Sequence, residues 1–201
     1  MASLFIHDFI PITAVEGPGL RACLWVQGCS IRCHDCMVPH TWDRKKGKEV
    51  SIEALASDIL AIEGIEGLTV LGGEPMEQAE ALLPLLEMIK NSGLSLMLFS
   101  GYTKEQLLES NCPSKKAIID LCDIFVDGPY QKENTDFSRP WVGSSNQRIY
   151  FQTDRYKHLE NQLHTIHNKV ELRIAGDGTV KVNGMLSKEK FIEIRQLVKD
   201  L

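Results

Sequence analysis

Four short, almost purely apolar runs limit what this chain can become: ACLWVQ at 22–27, LTVL at 68–71, LSLMLF at 94–99 and DIFVD at 123–127. Each is too short for a buried helix and rich in β-forming residues. Amphipathic stretches lie between the later runs. A strand that is apolar along its whole length must be covered on both faces. The pattern therefore predicts an α/β fold, a parallel sheet with helices packed over it. Four or five strand–helix units are too few for an eight-fold barrel, so the expected form is a partial, open parallel βα barrel.

The remaining elements fit around these runs. LFIHDFI at 4–10 reads as a first strand, and Gly17-Pro18-Gly19 as a turn. The stretch from Thr41 to Val50 is polar and reads as irregular. Ser51 has the character of an N-cap for a helix to about Ile62. Further helices are expected over Glu77–Asn91 with Gly93 as the stop, from Lys104, and over Ser114–Leu121. QRIYFQT at 147–153 reads as a strand. VELRIAGDGTVKVNG at 170–184 alternates around Gly176-Asp177-Gly178, which predicts a C-terminal β-hairpin. Ser187 then caps a last helix to Leu201, and this hairpin and helix form an appended edge of one domain spanning 1–201.

Charge and hydropathy exclude some roles. The net charge of −5 argues against a nucleic-acid binder, because phosphate contacts need a basic face. The basic run from Arg44 to Lys48 reads as a solvated loop. No apolar stretch approaches the roughly 20 residues that span a bilayer. The N-terminus has no basic lead-in and carries Asp8 early, so neither a membrane span nor a signal peptide is expected, and the location is cytoplasmic.

The chain has six cysteines, and three of them, Cys29, Cys33 and Cys36, fall within eight residues directly after the 22–27 strand. Cys23, Cys112 and Cys122 stand alone in mostly apolar surroundings and read as small buried hydrophobes. Clustered thiolates in a reducing compartment point to metal. A structural zinc site would need a fourth ligand, His34 or His40, and has no second half-site. A 4Fe-4S cluster held by three thiolates keeps one iron open to a non-protein ligand, whereas electron-transfer clusters usually have all four irons tied. Each loop of interest, namely the cysteine loop, Gly72-Gly73-Glu74-Pro75, Ser100-Gly101-Tyr102 and Asp127-Gly128-Pro129, follows the carboxyl end of an expected strand. Ligands bind at that edge of parallel α/β folds.

The spacing CX3CX2C after the first barrel strand, with GGEP after the next, resembles the radical S-adenosylmethionine (SAM) superfamily. The segment EGPGLRACLWVQGCSIRCHDCMVPHTWD at 16–43 is similar to the N-terminal signature of the glycyl-radical enzyme activases, with Gly17, Pro18, Gly19, Arg21, Gly28, Thr41 and Trp42 in register. VDGPY at 126–130 and WVGSSNQRI at 141–149 are similar to the branch that activates anaerobic ribonucleotide reductase. The chain departs from the activases in two places. Asp35 stands where an aromatic residue often packs near the adenine, and Val38 where asparagine is usual.

The resemblance implies a cluster bound by Cys29, Cys33 and Cys36, with SAM on the open iron. One electron from the reduced cluster splits SAM into methionine and a 5′-deoxyadenosyl radical. That radical takes a Cα hydrogen from a glycine of a large partner enzyme, and a flavodoxin- or ferredoxin-type protein supplies the electron. The SAM-side residues it implies are Gly72, Gly73 and Glu74, then Ser100 and Asp127 near the methionyl and ribose groups, Arg148 at the carboxylate, Asp35 near the adenine and Trp42 over the cluster. Asp127 also reads as a cap on the turn at Gly128-Pro129, and Arg148 as an exposed charge at a strand start. Two other functions stay open: a small radical SAM enzyme acting on a peptide or small molecule, and a single-cluster electron carrier without enzymatic activity.

Overall fold

The computed structural model describes residues 3–199. Seven strands form one sheet: β1 (Ser3–Thr13), β2 (Arg21–Val26), β3 (Lys48–Ser51), β4 (Gly67–Gly72), β5 (Ser95–Phe99), β6 (Ile124–Asp127) and β7 (Arg148–Phe151). Their order is β3-β1-β2-β4-β5-β6-β7. The four apolar runs are the central strands β2, β4, β5 and β6, and all three pairs among them are parallel. The two edges correct the expected all-parallel wall. β1 runs antiparallel to β2, β3 antiparallel to β1, and β7 antiparallel to β6.

Every residue of β2 and of β6 is buried, as continuous apolar runs require. On one face, Leu24, Val70, Leu98 and Phe125 meet a helical layer. That layer is α1 (Ile52–Leu60), α2 (Ala79–Asn91), α3 (Lys104–Glu109) and α4 (Pro113–Leu121). Leu82, Leu85, Leu86 and Ile89 of α2 follow the helical period and are at most 1% exposed, each contributing about 1.5–3 kcal/mol. On the opposite face, Met97, Ile124 and Val126 pack against Trp141, Val142, Phe151 and Tyr156. Cys122 lies in the main core and Cys23 in a small cluster with Ile10 and Trp25, as expected of buried thiols. Burial pushes the Cys122 thiol up to about 12.

Local signals placed the helix ends well. The Ser51 side chain accepts from the Ala54 N–H and starts α1. Thr103 and Gln106 form a reciprocal capping box at α3. The second helix starts later than Glu77, because Glu74 and Pro75 fold residues Pro75–Gln78 into a 3-10 turn ahead of α2. Strand β3 lies inside the stretch expected to be irregular. Its four residues are half exposed or exposed, and pairing with β1 makes them a strand without an apolar pattern.

The hairpin is present as β8 (Val170–Ile174) and β9 (Val180–Gly184), with α5 (Lys188–Lys199) after it. It is a two-stranded sheet of its own, with no backbone ladder to the seven-stranded one among the described residues. Polar side chains latch it to the body. Thr13 donates to Glu171 at 2.9 Å, Arg173 donates to the Ile12 carbonyl at 2.9 Å, and Asn183 donates to Glu16 at 3.2 Å. The end of the final helix expected at Leu201 lies outside the described residues. Among the described residues, no helix is long and apolar enough to cross a membrane.

Candidate metal centre

Parallel pairing of β2, β4, β5 and β6 brings the loops at 27–43, 72–78, 100–103 and 127–147 to one edge of the sheet. The cysteine loop leaves β2 there and closes on itself. Gly28 donates to the Thr41 carbonyl at 2.7 Å and Cys29 to the Trp42 carbonyl at 3.1 Å. The buried Gln27 side chain holds the loop's return, donating to the carbonyls of His40 at 2.8 Å and Asp43 at 2.9 Å. Within the loop, Arg32 and Asp35 adopt the left-handed conformation, with φ of 49° and 59°. Cys36 donates to the Cys33 carbonyl at 3.2 Å, which forms the tight turn between the last two cysteines.

All three thiols are half-buried. Burial pushes the Cys29 and Cys33 thiols up, and backbone N–H groups of Arg32 and Ile31 near Cys29, and of Tyr130 near Cys33, act against it. Among the described residues, no three His, Cys, Asp or Glu side chains stand close enough to hold a metal ion as they are. The donor set is nonetheless of one kind, three thiols on one short loop. Soft thiolate ligation suits an iron–sulfur cluster.

The GGEP loop explains why two glycines end β4. Gly72 has φ of 107°, and a side chain there would meet the backbone of Val26 at 2.7 Å. A Cβ on Gly73 would sit 2.3 Å from the Gly28 carbonyl oxygen. In its absence, Gly73 donates to Val26 O at 2.8 Å and Glu74 to Gly28 O at 2.7 Å. The two glycines thus press this loop onto the start of the cysteine loop. Gly73→Ala is expected to push the loops apart and cut cluster uptake sharply. Gly176→Ala, with nothing within 4 Å, should leave uptake unchanged. Iron content after anaerobic reconstitution measures both.

Glu74 is 1% exposed and ties together the second and third loops. It accepts from Met76 N at 2.9 Å, Ser100 Oγ at 2.8 Å and Gly101 N at 2.7 Å. Burial pushes its carboxyl up to about 7, against the pull of those donors. The Ser100 hydroxyl also accepts from Tyr102 N at 3.1 Å.

Asp127 and Arg148 are brought together, but in roles the sequence did not indicate. The Asp127 side chain is fully buried and accepts from the backbone N–H of Lys104 at 2.6 Å, at the start of α3. Arg148 donates to it through Nε at 2.9 Å and Nη2 at 2.5 Å. The rest of the guanidinium faces Glu105, at 3.1 and 2.6 Å. Four of the five N–H donors of Arg148 thus face protein carboxylates, and both Asp127 oxygens are engaged. Together they anchor α3 to β6 and β7. These two carboxylates raise the Arg148 pKa, and Arg148 pulls Glu105 down to about 2.

Asp35 turns outward to Lys132 at 2.5 Å and Lys188 at 3.7 Å, and the Lys132 bond holds its carboxyl below the usual range. It thus joins the cysteine loop to the 128–147 loop and to α5. Trp42 is half-buried and lines a cleft of about 160 Å³ with Cys29, Arg32, Arg44 and Glu77. Sequence reading missed Gln27, Glu77 and Tyr130. Gln27 carried a usable signal, a glutamine closing a strand otherwise apolar; Tyr130 ends the VDGPY stretch, and Glu77 carried none.

Residues 15–150 match the 4Fe-4S single cluster domain family. The match ends before β8, β9 and α5. The anaerobic ribonucleoside-triphosphate reductase-activating protein of Vibrio cholerae is 32% identical over 152 residues, covering 72% of this chain and 96% of that protein. The protein of the same name from Enterobacteria phage T4 is 31% identical over 151 residues, covering 72% and 92%. That of Escherichia coli K12 is 28% identical over 154 residues, covering 72% and 96%. Among solved structures, QueE from Escherichia coli overlaps 50% of this chain and 53% of that one at 21% identity, with a TM-score of 0.44, too loose a superposition to bear on the site.

Proposed function

Since this chain belongs to the 4Fe-4S single cluster domain family and to the family of anaerobic ribonucleoside-triphosphate reductase-activating proteins, we propose that it is a radical SAM activase of a glycyl-radical enzyme. One observation carries the reading. The family-matched segment carries three half-buried thiols on a single loop at the carboxyl edge of four parallel strands. Cys29, Cys33 and Cys36 would hold a 4Fe-4S cluster whose fourth iron takes SAM. When bound, the cluster supplies one electron that splits SAM into methionine and a radical able to remove a glycine Cα hydrogen.

The chain's own residues orient and shield this chemistry. The glycine contact between the GGEP and cysteine loops fixes where the thiols stand. Glu74 and Ser100 lock the neighbouring loops, and the exposed backbone edges of Gly72 and Gly73 suit the SAM amino group. Trp42 limits solvent access on the cleft side. The inner strands would form the wall of a partial barrel, open enough at its edges for a loop of a large glycyl-radical partner to enter. The whole chain would work as one domain in the reducing cytoplasm, with a flavodoxin- or ferredoxin-type electron donor.

Anaerobic reconstitution should give about four irons per chain. Dithionite and SAM should then yield 5′-deoxyadenosine, and a reductase partner should gain a glycine-centred EPR doublet. A cluster that cycles cleanly with no 5′-deoxyadenosine would sink the enzymatic reading and leave an electron carrier. 5′-Deoxyadenosine without the doublet would leave an enzyme acting on smaller substrates.

A further inference from the structure

We propose that Glu77 is a positioning residue for the cluster: it fixes the peptide that follows Cys29, and its charge lowers the cluster's reduction potential. The inference rests on the assignment of Cys29 as a cluster ligand. Glu77 Oε1 accepts from the Ser30 backbone N–H at 2.8 Å and from the Ser30 hydroxyl at 2.5 Å. The Tyr102 hydroxyl reaches the same oxygen at 3.3 Å and lies 3.3 Å from Ser30 Oγ. One carboxylate oxygen thus gathers donors from two of the loops that meet at the site.

Its position on the chain explains how. Glu74 caps the 3-10 turn Pro75–Gln78, and Glu77 lies in that turn. Residues three apart nearly eclipse in such a turn, yet these two acids point to different neighbours. Glu74 is buried and grips Ser100 and Gly101, while Glu77 is exposed and grips Ser30. The turn is a two-armed clamp between the cysteine loop and the loop after β5. Holding the Ser30 N–H fixes the plane of the Cys29–Ser30 peptide, and with it the direction of the Cys29 thiol.

The charge acts independently of the hydrogen bonds. Glu77 lines the same cleft as Cys29, and its carboxylate sits against the peptide that follows that cysteine. Adding an electron to a cluster beside a fixed negative charge is disfavoured, so the reduced centre becomes a stronger one-electron donor. Arg32 and Arg44 line the cleft as well and offset part of this charge.

Two substitutions separate the effects. Glu77→Gln keeps an oxygen acceptor for Ser30 and removes the charge. Glu77→Leu removes both. In reconstituted protein, Glu77→Gln should bind full iron and show a midpoint potential shifted to more positive values. Glu77→Leu should lose iron to a chelator several-fold faster than wild type, and its Ser30 amide should lose hydrogen-exchange protection in the metal-free protein. Glu80→Gln, an exposed acid in the first turn of α2, should change none of these. An unchanged potential in Glu77→Gln, an unchanged rate of iron loss in Glu77→Leu, or an equal effect from Glu80→Gln overturns the proposal. Wild type that takes up no cluster overturns both this proposal and the functional reading beneath it. Wild type that cleaves SAM while the Glu77 variants match it overturns this proposal alone.

Discussion

Replacing Cys29, Cys33 or Cys36 by alanine is expected to reduce iron uptake from about four atoms per chain to almost none, and SAM cleavage with it. A cluster bound by only three thiolates cannot lose one without leaving a second iron unprotected. No other cysteine can substitute. Cys23 and Cys122 are fully buried on the two faces of the sheet, and Cys112 lies at the start of α4, packed against the helical core. Cys112→Ala should therefore reconstitute like wild type. Iron analysis and the EPR spectrum of the reduced protein check both arms, and cluster loss in Cys112→Ala would show that the ligand set is wrong.

Arg21→Met is expected to cost about 3–5 kcal/mol of stability, because several buried acceptors lose their donor at about 1–3 kcal/mol each. The Arg21 guanidinium is 0% exposed at the amino ends of β2, β4 and β5. It donates to Thr69 Oγ1 at 2.7 Å, Ser95 Oγ at 2.8 Å and the Leu68 carbonyl at 2.9 Å. Burial lowers its pKa, and Tyr156, which donates to Glu66 at 3.1 Å, links it to the nearest carboxylate. Methionine would fill much of the volume but leave these acceptors without donors. For a chain of this size the melting midpoint should fall by roughly 6–20 °C. Arg21→Lys should recover only part, since an ammonium cannot reach acceptors on three strands with a planar fork. A loss below about 1 kcal/mol in urea titration, the scale of an ordinary hydrogen bond, would refute this account.

Arg21 also shows how far a motif can be read. It belongs to the stretch that resembles the activases, yet it stands at the opposite end of β2 from the cysteine loop. Its work in this chain is architectural. Asp127 and Arg148 stand at the site itself, where residue type and strand-end position suit a ligand, and the tertiary fold adds a contact to the start of α3 that no sequence pattern indicates. Glu77 is the converse case: nothing in its local sequence distinguishes it from the surface acids of the neighbouring helix α2, and its importance comes only from Ser30 lying against it.

The central strands, the helical layer, the three clustered cysteines and the family are legible in the amino-acid order alone. Those features are local: period, burial on both faces, capping and ligand spacing are written in neighbouring residues. The antiparallel edges, strand β3, the separate hairpin and the partners of each polar group at the site arise only in the folded chain. Strand pairing in β3 and the grip of Glu74, Glu77 and Arg148 join residues 20 or more positions apart in the chain. A hydrogen bond of that kind is satisfied by whichever donor the packed core delivers, and core packing is set by the whole chain at once.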